Sequence, residues 1–347
     1  MKNHVIGISF TSLFTFYFAT IFGQSEISRI DKFAIATQAR TLDSLHYKLT
    51  YKFGSDEEKV RAIFRWITFN ISYDLIGVNK KNIYSEIHKK LENVDSSTYE
   101  EKYNQLVAEK VFKERRAVCD GYSRLFKYLC DLSQIKAVII KGYSRTLSNE
   151  IGITGDVNHS WNAVLLNKKW NLLDVTWASG YCNSARTKFY KEFCNLYYLT
   201  PSHVFITNHL PEESKWTLLK EGISKKSFFS APYLTDDFFN MGVKDYFPKS
   251  GVIQIDSTER IDIDLDFENT TDSSLVIIES YIDPKTKIYK SNFRYLPSRE
   301  TLEEKLKAEY LFENKKICLK YRIQKKTTTK IEVLYKGKII MVYRIER

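Results

Sequence analysis

A single aspartate inside an apolar run sets the first constraint on this chain. Asp174 stands in Leu172-Leu173-Asp174-Val175, and a carboxylate carried into a core with such neighbours must meet a partner there. Upstream, His159-Ser160-Trp161-Asn162-Ala163-Val164 reads as a strand, and the segment over 170–176 reads as another. If Asn167 and Lys168 form a two-residue turn, Leu166 pairs with Lys169 and the register sets Asp174 opposite Trp161. His159 is two residues from Trp161, so it shares that face and lies diagonal to Asp174. A slip of one residue would turn the carboxylate to the other face. A histidine and an aspartate on a hairpin are by default a surface pair. The apolar setting of Asp174 favours a buried pair instead, because a carboxylate fixes an imidazole tautomer and stabilises its charged form.

A nucleophile candidate lies upstream. The segment Arg115-Arg116-Ala117-Val118-Cys119-Asp120-Gly121-Tyr122-Ser123 runs into Leu125-Phe126-Lys127-Tyr128-Leu129, which places Cys119 at or just inside a helix start. Thiols attack carbonyls as thiolates, and the unpaired N–H groups and partial positive charge of a helix N-terminus favour an anion. The same N–H groups can hold a developing oxyanion. Trp66 and Asn162 are candidates for a second donor. A lone cysteine before a helix is ordinarily a small buried hydrophobe, so Cys119 gains weight only from the histidine and aspartate that follow it.

Along the chain, residues 27–49 are loosely helical. A clearer helix is predicted from Ser55, an N-cap with Glu58 three residues on, to Phe69, with Val60, Ile63, Phe64 and Ile67 at helical spacing. Residues 80–113 are polar and helix-prone, with one helix expected over 97–110, and read as an insertion. Strands are expected at 136–143, 159–166 and 170–176. After about residue 250 the pattern changes to short strands, and 330–335, a Lys336-Gly337 turn and 339–344 form a hairpin pattern. Asp262, Asp264 and Asp266 alternate along one such strand. They read as a solvated face, because one strand offers too few converging oxygens for calcium. A linker is expected near 236–250.

The formal net charge of +11 would suit an anionic partner. The basic residues are scattered among Asp and Glu with no tract or motif, so no nucleic-acid partner is expected. Lys2 and His4 precede an apolar run to about Phe22, and a small residue follows at Gly23, the pattern of a secretory signal over residues 1–23. This predicts an exported protein: periplasmic, cell-surface or secreted. Membrane association is expected only if that segment is an uncleaved anchor. Five cysteines leave an odd one; Cys182 and Cys194 could pair, and without a Cys-x-x-Cys pair no metal site is expected.

Cys119-Asp120-Gly121-Tyr122-Ser123, His159-Ser160-Trp161-Asn162-Ala163-Val164 and Trp170-Asn171-Leu172-Leu173-Asp174-Val175-Thr176-Trp177 together resemble the transglutaminase-like superfamily of papain-related thiol enzymes, in the family's order of Cys, His, Asp. Trp66-Ile67, Asn70-Ile71, Tyr73-Asp74, Tyr198-Leu199-Thr200 and His209-Leu210-Pro211 extend the likeness over roughly residues 55–217, most like the kyphoscoliosis peptidase and cytokinesis-associated branch. Asn167-Lys168 departs from the Gly-containing turn often seen there, and no calcium loop is evident. The resemblance implies an α+β fold with a papain-like core of N-terminal helices packed on an antiparallel sheet over residues 24–240. The run of short strands that follows points by itself to an immunoglobulin-like sandwich over 245–347.

It also implies Cys119 as nucleophile, His159 as general base and acid, and Asp174 as orienter, with no cofactor. The expected reaction is acyl transfer from a protein or peptide amide through a thioester, with hydrolysis favoured over crosslinking because it needs no second substrate site. The rival class is a catalytically silent binding or cell-surface scaffold.

Overall fold

A computed structural model describes residues 26–77, 84–183, 186–268, 275–282, 289–296, 309–313, 315–323 and 326–347. The secretory signal read at residues 1–23 and the first residues of the insertion lie outside them. Among the described residues no helix is long and apolar enough to cross a membrane. The chain gathers into two compact units, one of residues up to Ile140 with Ser160–Leu199, the other of Lys141–His159 with Thr200–Arg347.

In the first unit, residues 26–36 are helical, followed by α1 (Leu42–Thr50), α2 (Asp56–Asn70), α3 (Ser96–Glu114) and α4 (Cys119–Leu132). The start of α2 is as the sequence predicts. The Ser55 side chain accepts from the Glu58 N–H and the Glu58 side chain accepts from the Ser55 N–H, so two orphan donors are satisfied at once. Val60, Ile63, Phe64 and Ile67 on α2 are wholly buried, each worth about 1.5–3 kcal/mol in transfer terms. Arg61 and Arg65 of the same helix are also buried, and Asp31 is the counter-ion of both: its carboxylate accepts from Arg61 Nε at 2.7 Å and forms an ion pair with Arg65, whose Nε lies 3.0 Å away.

A short parallel pair, β1 (Ser72–Tyr73) with β2 (Arg116–Ala117), ties the end of α2 to the entry of α4. Arg115 just before it takes a left-handed φ of 55°, and its guanidinium lies over the rings of Trp66 and Phe112 at 4.6 and 4.3 Å. Arg116 reaches Asp74 at 3.8 Å. Both arginines before the helix are therefore engaged within the fold.

Strands β3 (Ala137–Ser144), β4 (His159–Leu166), β5 (Lys169–Leu173) and β6 (His209–Pro211) form a sheet in the order β5-β4-β3-β6. Leu166 pairs with Lys169 and Asn162 with Leu173, the antiparallel register expected from the sequence. Asn167 and Lys168 both adopt positive φ, 49° and 61°. That is the backbone of a tight hairpin turn whose twist matches its strands, reached here without glycine. The second strand is shorter than expected. It ends at Leu173, and Asp174 caps a one-turn helix, α5 (Val175–Ala178).

In the second unit, strands 243–247, 260–267, 316–322 and 309–313 form one sheet, and 252–254, 338–346, 328–335, 275–282 and 289–296 with 233–234 form another. Ile261, Ile263, Leu265 and Phe267 share a buried cluster with Ile331, Val333, Tyr343 and Ile345. The intervening Asp262, Asp264 and Asp266 face away, opposite Lys320, Cys318 and Lys316, and Lys316 Nζ lies 3.2 Å from Asp264. They form the solvated row that the alternation predicts. The segment expected as a linker is instead ordered: Asp236–Asn240 is helical with Phe238 in the core, and Val243–Phe247 is an edge strand. Tyr335 pairs with Lys338 around the Lys336-Gly337 turn, as predicted. No disulfide joins Cys182 and Cys194.

Candidate active site

Cys119 is the first residue of α4 and is partly accessible. The residue before it, Val118, has no side-chain oxygen and makes no capping bond. Thr41 and Ser55, by contrast, cap their helices with side-chain oxygens. The sequence thus omits a side-chain acceptor at the one helix start that carries the thiol, where the helix field favours an anion. Asp120 in the same turn would oppose a thiolate, but its carboxylate accepts from Arg124 Nε at 2.9 Å.

The helix start is fixed by close packing and by hydrogen bonds. Tyr122 donates its hydroxyl proton to the Ile71 carbonyl at 2.8 Å, and the Ser123 hydroxyl donates to the Cys119 carbonyl at 3.0 Å. The amide of wholly buried Asn162 donates to the carbonyls of Ser123 and Val138, each at 3.1 Å, so β4 is tied to α4 by one side chain. Trp66 donates its indole N–H to the Thr37 carbonyl at 2.9 Å. Both candidates for the second oxyanion donor therefore have their donors committed to holding the fold, and neither fits that role.

His159 opens β4 and is 8% exposed; Asp174 is wholly buried. Asp174 Oδ1 accepts from the backbone N–H groups of Thr176 and Trp177 at 2.8 and 3.1 Å, which helps make a buried carboxylate tolerable. One nitrogen of His159, one carboxylate oxygen of Asp174 and one nitrogen of His209 all lie within 4.8 Å of one another, in a fully buried group. The pair expected from the hairpin register is thus brought together, with a third member that the sequence reading quoted but gave no role. The signal was available in His209-Leu210-Pro211, which lacked only a reason to place its histidine against His159.

Histidine and carboxylate are also metal-ligand types. Here Asp174 Oδ1 is engaged as a helix cap and His209 Nδ1 lies 2.6 Å from Asn208 Oδ1. One atom of each of these two residues is thus directed at a protein partner. Tyr73 is a further residue that the sequence did not single out. Burial raises its phenol well above the ordinary range, and the charges of Cys119, Cys182 and Asp174 push the same way, against Arg186. Its hydroxyl therefore stays protonated at neutral pH.

Comparison with known proteins places the site in context. Residues 43–175 match the model of the transglutaminase-like superfamily, a span that holds Cys119, His159 and Asp174. Human kyphoscoliosis peptidase is 29% identical over 232 residues, covering 66% of this chain and 32% of that protein. The mouse protein is 30% identical over 215 residues, covering 61% and 30%. Drosophila hillarin is 24% identical over 234 residues, covering 63% and 26%. The chain thus spans about a third or less of the length of these relatives.

Proposed function

We propose, from the premise that this chain carries a transglutaminase-like domain of the kyphoscoliosis peptidase branch, that it is an exported thiol enzyme acting on protein or peptide amides. Cys119 is the nucleophile, His159 the general acid and base, and Asp174 the group that orients His159. The observation that carries this reading is the gathering of His159 with Asp174 in a buried group, downstream of a thiol at an uncapped helix start.

In the reaction, the Cys119 thiolate attacks the amide carbonyl and forms a C–S bond. The tetrahedral oxyanion is held by backbone N–H groups at the start of α4. As the C–N bond breaks, the His159 imidazolium gives its proton to the leaving amine, and a thioester remains. Water then attacks, His159 takes its proton, and the thiolate leaves. Hydrolysis is preferred over transfer to a second amine because it requires no second substrate site. The name of the mammalian relatives, a peptidase, agrees with that preference.

Residues 24–240 serve as the catalytic domain and 245–347 as an immunoglobulin-like sandwich that binds or positions substrate. The segment over 1–23 directs export. The decisive experiment profiles cleaved and crosslinked products from wild type and Cys119→Ala side by side. Cleavage products that vanish with the thiol support the reading. Products that survive Cys119→Ala overturn it, and an inert, slowly alkylating Cys119 with no product of any kind would favour the binding scaffold.

A further inference from the structure

We propose that His209 is a positioning residue that acts through His159, a buried neutral imidazole that orients the acid–base ring and presents a fixed dipole to it. The inference rests on the acyl-transfer reading above and deepens it.

The local sequence brings the two rings together. Asn158, just before His159, uses its side chain as a strand partner for Ser144: Oδ1 accepts from the Ser144 N–H at 2.7 Å and hydroxyl at 3.1 Å, and Nδ2 donates to the Ser144 carbonyl at 3.0 Å. Its own N–H donates to the Gly142 carbonyl at 3.0 Å. Ser144 is in turn the register partner of His209 on β6. One asparagine therefore fastens the start of β4 to the strand position opposite His209. The two imidazoles stand 5.3 Å apart between centroids, tilted at 48°.

His209 itself is held from two further sides. Its ring lies on that of Phe205, centroids 4.3 Å apart at 27°, and its Nδ1 is 2.6 Å from Asn208 Oδ1. An amide oxygen only accepts, so Nδ1 carries the ring proton and Nε2 is left with its lone pair. A second proton would place a wholly buried cation beside His159, which desolvation and like charge both oppose. The groups around His209 fit this assignment. His159 and Asp174 gather with it. Arg145, past the end of β3, donates its backbone N–H to the Asn208 carbonyl and its guanidinium to the carbonyls of Thr207, Ala231 and Pro232. His203, on the turn that carries Phe205, is exposed. When His159 takes its proton, Asp174 supplies the charge and His209 supplies a fixed acceptor dipole that does not compete for the proton.

The test compares wild type with His209→Phe, which fills the ring space without a nitrogen, and His209→Gln, which keeps a polar group. Ring-proton titration of His159 by NMR should show its imidazolium destabilised in His209→Phe, with a downward shift of about one pH unit, the usual spread of histidine environments. The alkaline limb of the activity profile should move with it. The fall in kcat should be about tenfold to a hundredfold at nearly constant KM, toward the low side of what a positioned acid–base supplies. His209→Gln should recover part of both. A folded His209→Phe whose His159 titration and pH profile match wild type overturns the inference. So does a nitrogen spectrum of wild type that shows His209 charged or protonated at Nε2, a measurement that needs no variant. Cys119→Ala run alongside separates the two questions. Turnover that survives it sinks the acyl-transfer reading, whereas the His159 titration still answers for His209.

Discussion

The Tyr84 hydroxyl stands so near Gly121 that a Cβ on the glycine would lie 2.6 Å from that oxygen, with Ala117 Cβ at 2.7 Å and Val111 Cγ2 at 2.9 Å on the other sides. Gly121 is the third residue of the helix that begins with Cys119, and Tyr84 lies in the polar stretch between residues 80 and 113. The stretch that carries Tyr84 therefore packs against the first turn of the Cys119 helix through a missing side chain. Gly121→Ala should destabilise the fold by about 1–3 kcal/mol through overpacking, against a helix-propensity gain of up to about 1 kcal/mol. It should also slow alkylation of Cys119 by displacing the helix start. The denaturant midpoint and the alkylation rate measure the two effects. A variant as stable and as reactive as wild type would show that the approach carries no constraint.

Asp174 has two tasks that substitution can separate. Asparagine keeps Oδ1 and so keeps the two bonds to Thr176 and Trp177, but it loses the charge that supports an imidazolium. Asp174→Asn should fold nearly as well as wild type and lose about 10²–10⁴ in turnover. Asp174→Ala should lose the same activity and a further 0.5–2 kcal/mol or so of stability with the helix cap. Full activity in Asp174→Asn would remove Asp174 from the proposed mechanism.

The cysteines should separate by reactivity. Burial raises Cys130 well above the usual thiol range, and burial also raises Cys182 and Cys318, the last with help from Asp264. Raised thiols stay protonated at neutral pH and react only as the solution turns alkaline. Limited alkylation near pH 7 followed by peptide mapping should label Cys119 first, leave Cys130 untouched, and show Cys182 and Cys318 gaining label as pH rises. Labelling of Cys182 ahead of Cys119 near pH 7 would contradict the proposed nucleophile.

Much of this arrangement is legible in the sequence because it depends on neighbours. Ser55 and Glu58 announce a helix start through a local exchange of hydrogen bonds, and a two-residue turn fixes the pairing of Leu166 with Lys169 by counting alone. Asp174 was harder to read. The run through Val175 fits a strand in its apolar spacing, and only two backbone N–H groups turning back onto the carboxylate reveal a helix cap. Trp66 and Asn162 are candidate donors until Thr37, Ser123 and Val138 are seen to occupy them. His209 stands fifty residues beyond His159 in the chain. Their meeting depends on Asn158 and Ser144, a long-range ladder that no local pattern encodes.

One strand pairing in the C-terminal sheet also bears on how the protein is made. Val252–Gln254 runs parallel to Arg344–Glu346, and Gln254 donates its side-chain amide to Glu346 across 92 positions of sequence. The same late strand is the antiparallel partner of Tyr233–Leu234 and of the strand before it. Among the described strands, Val252–Gln254 and Tyr233–Leu234 pair only with this one, so they have no strand to join until residues 338–346 leave the ribosome. Closing so long a loop late is slow compared with local helix formation. The upstream helices can thus be complete while this sheet still exposes open edges, a window in which a chaperone would meet the chain half built.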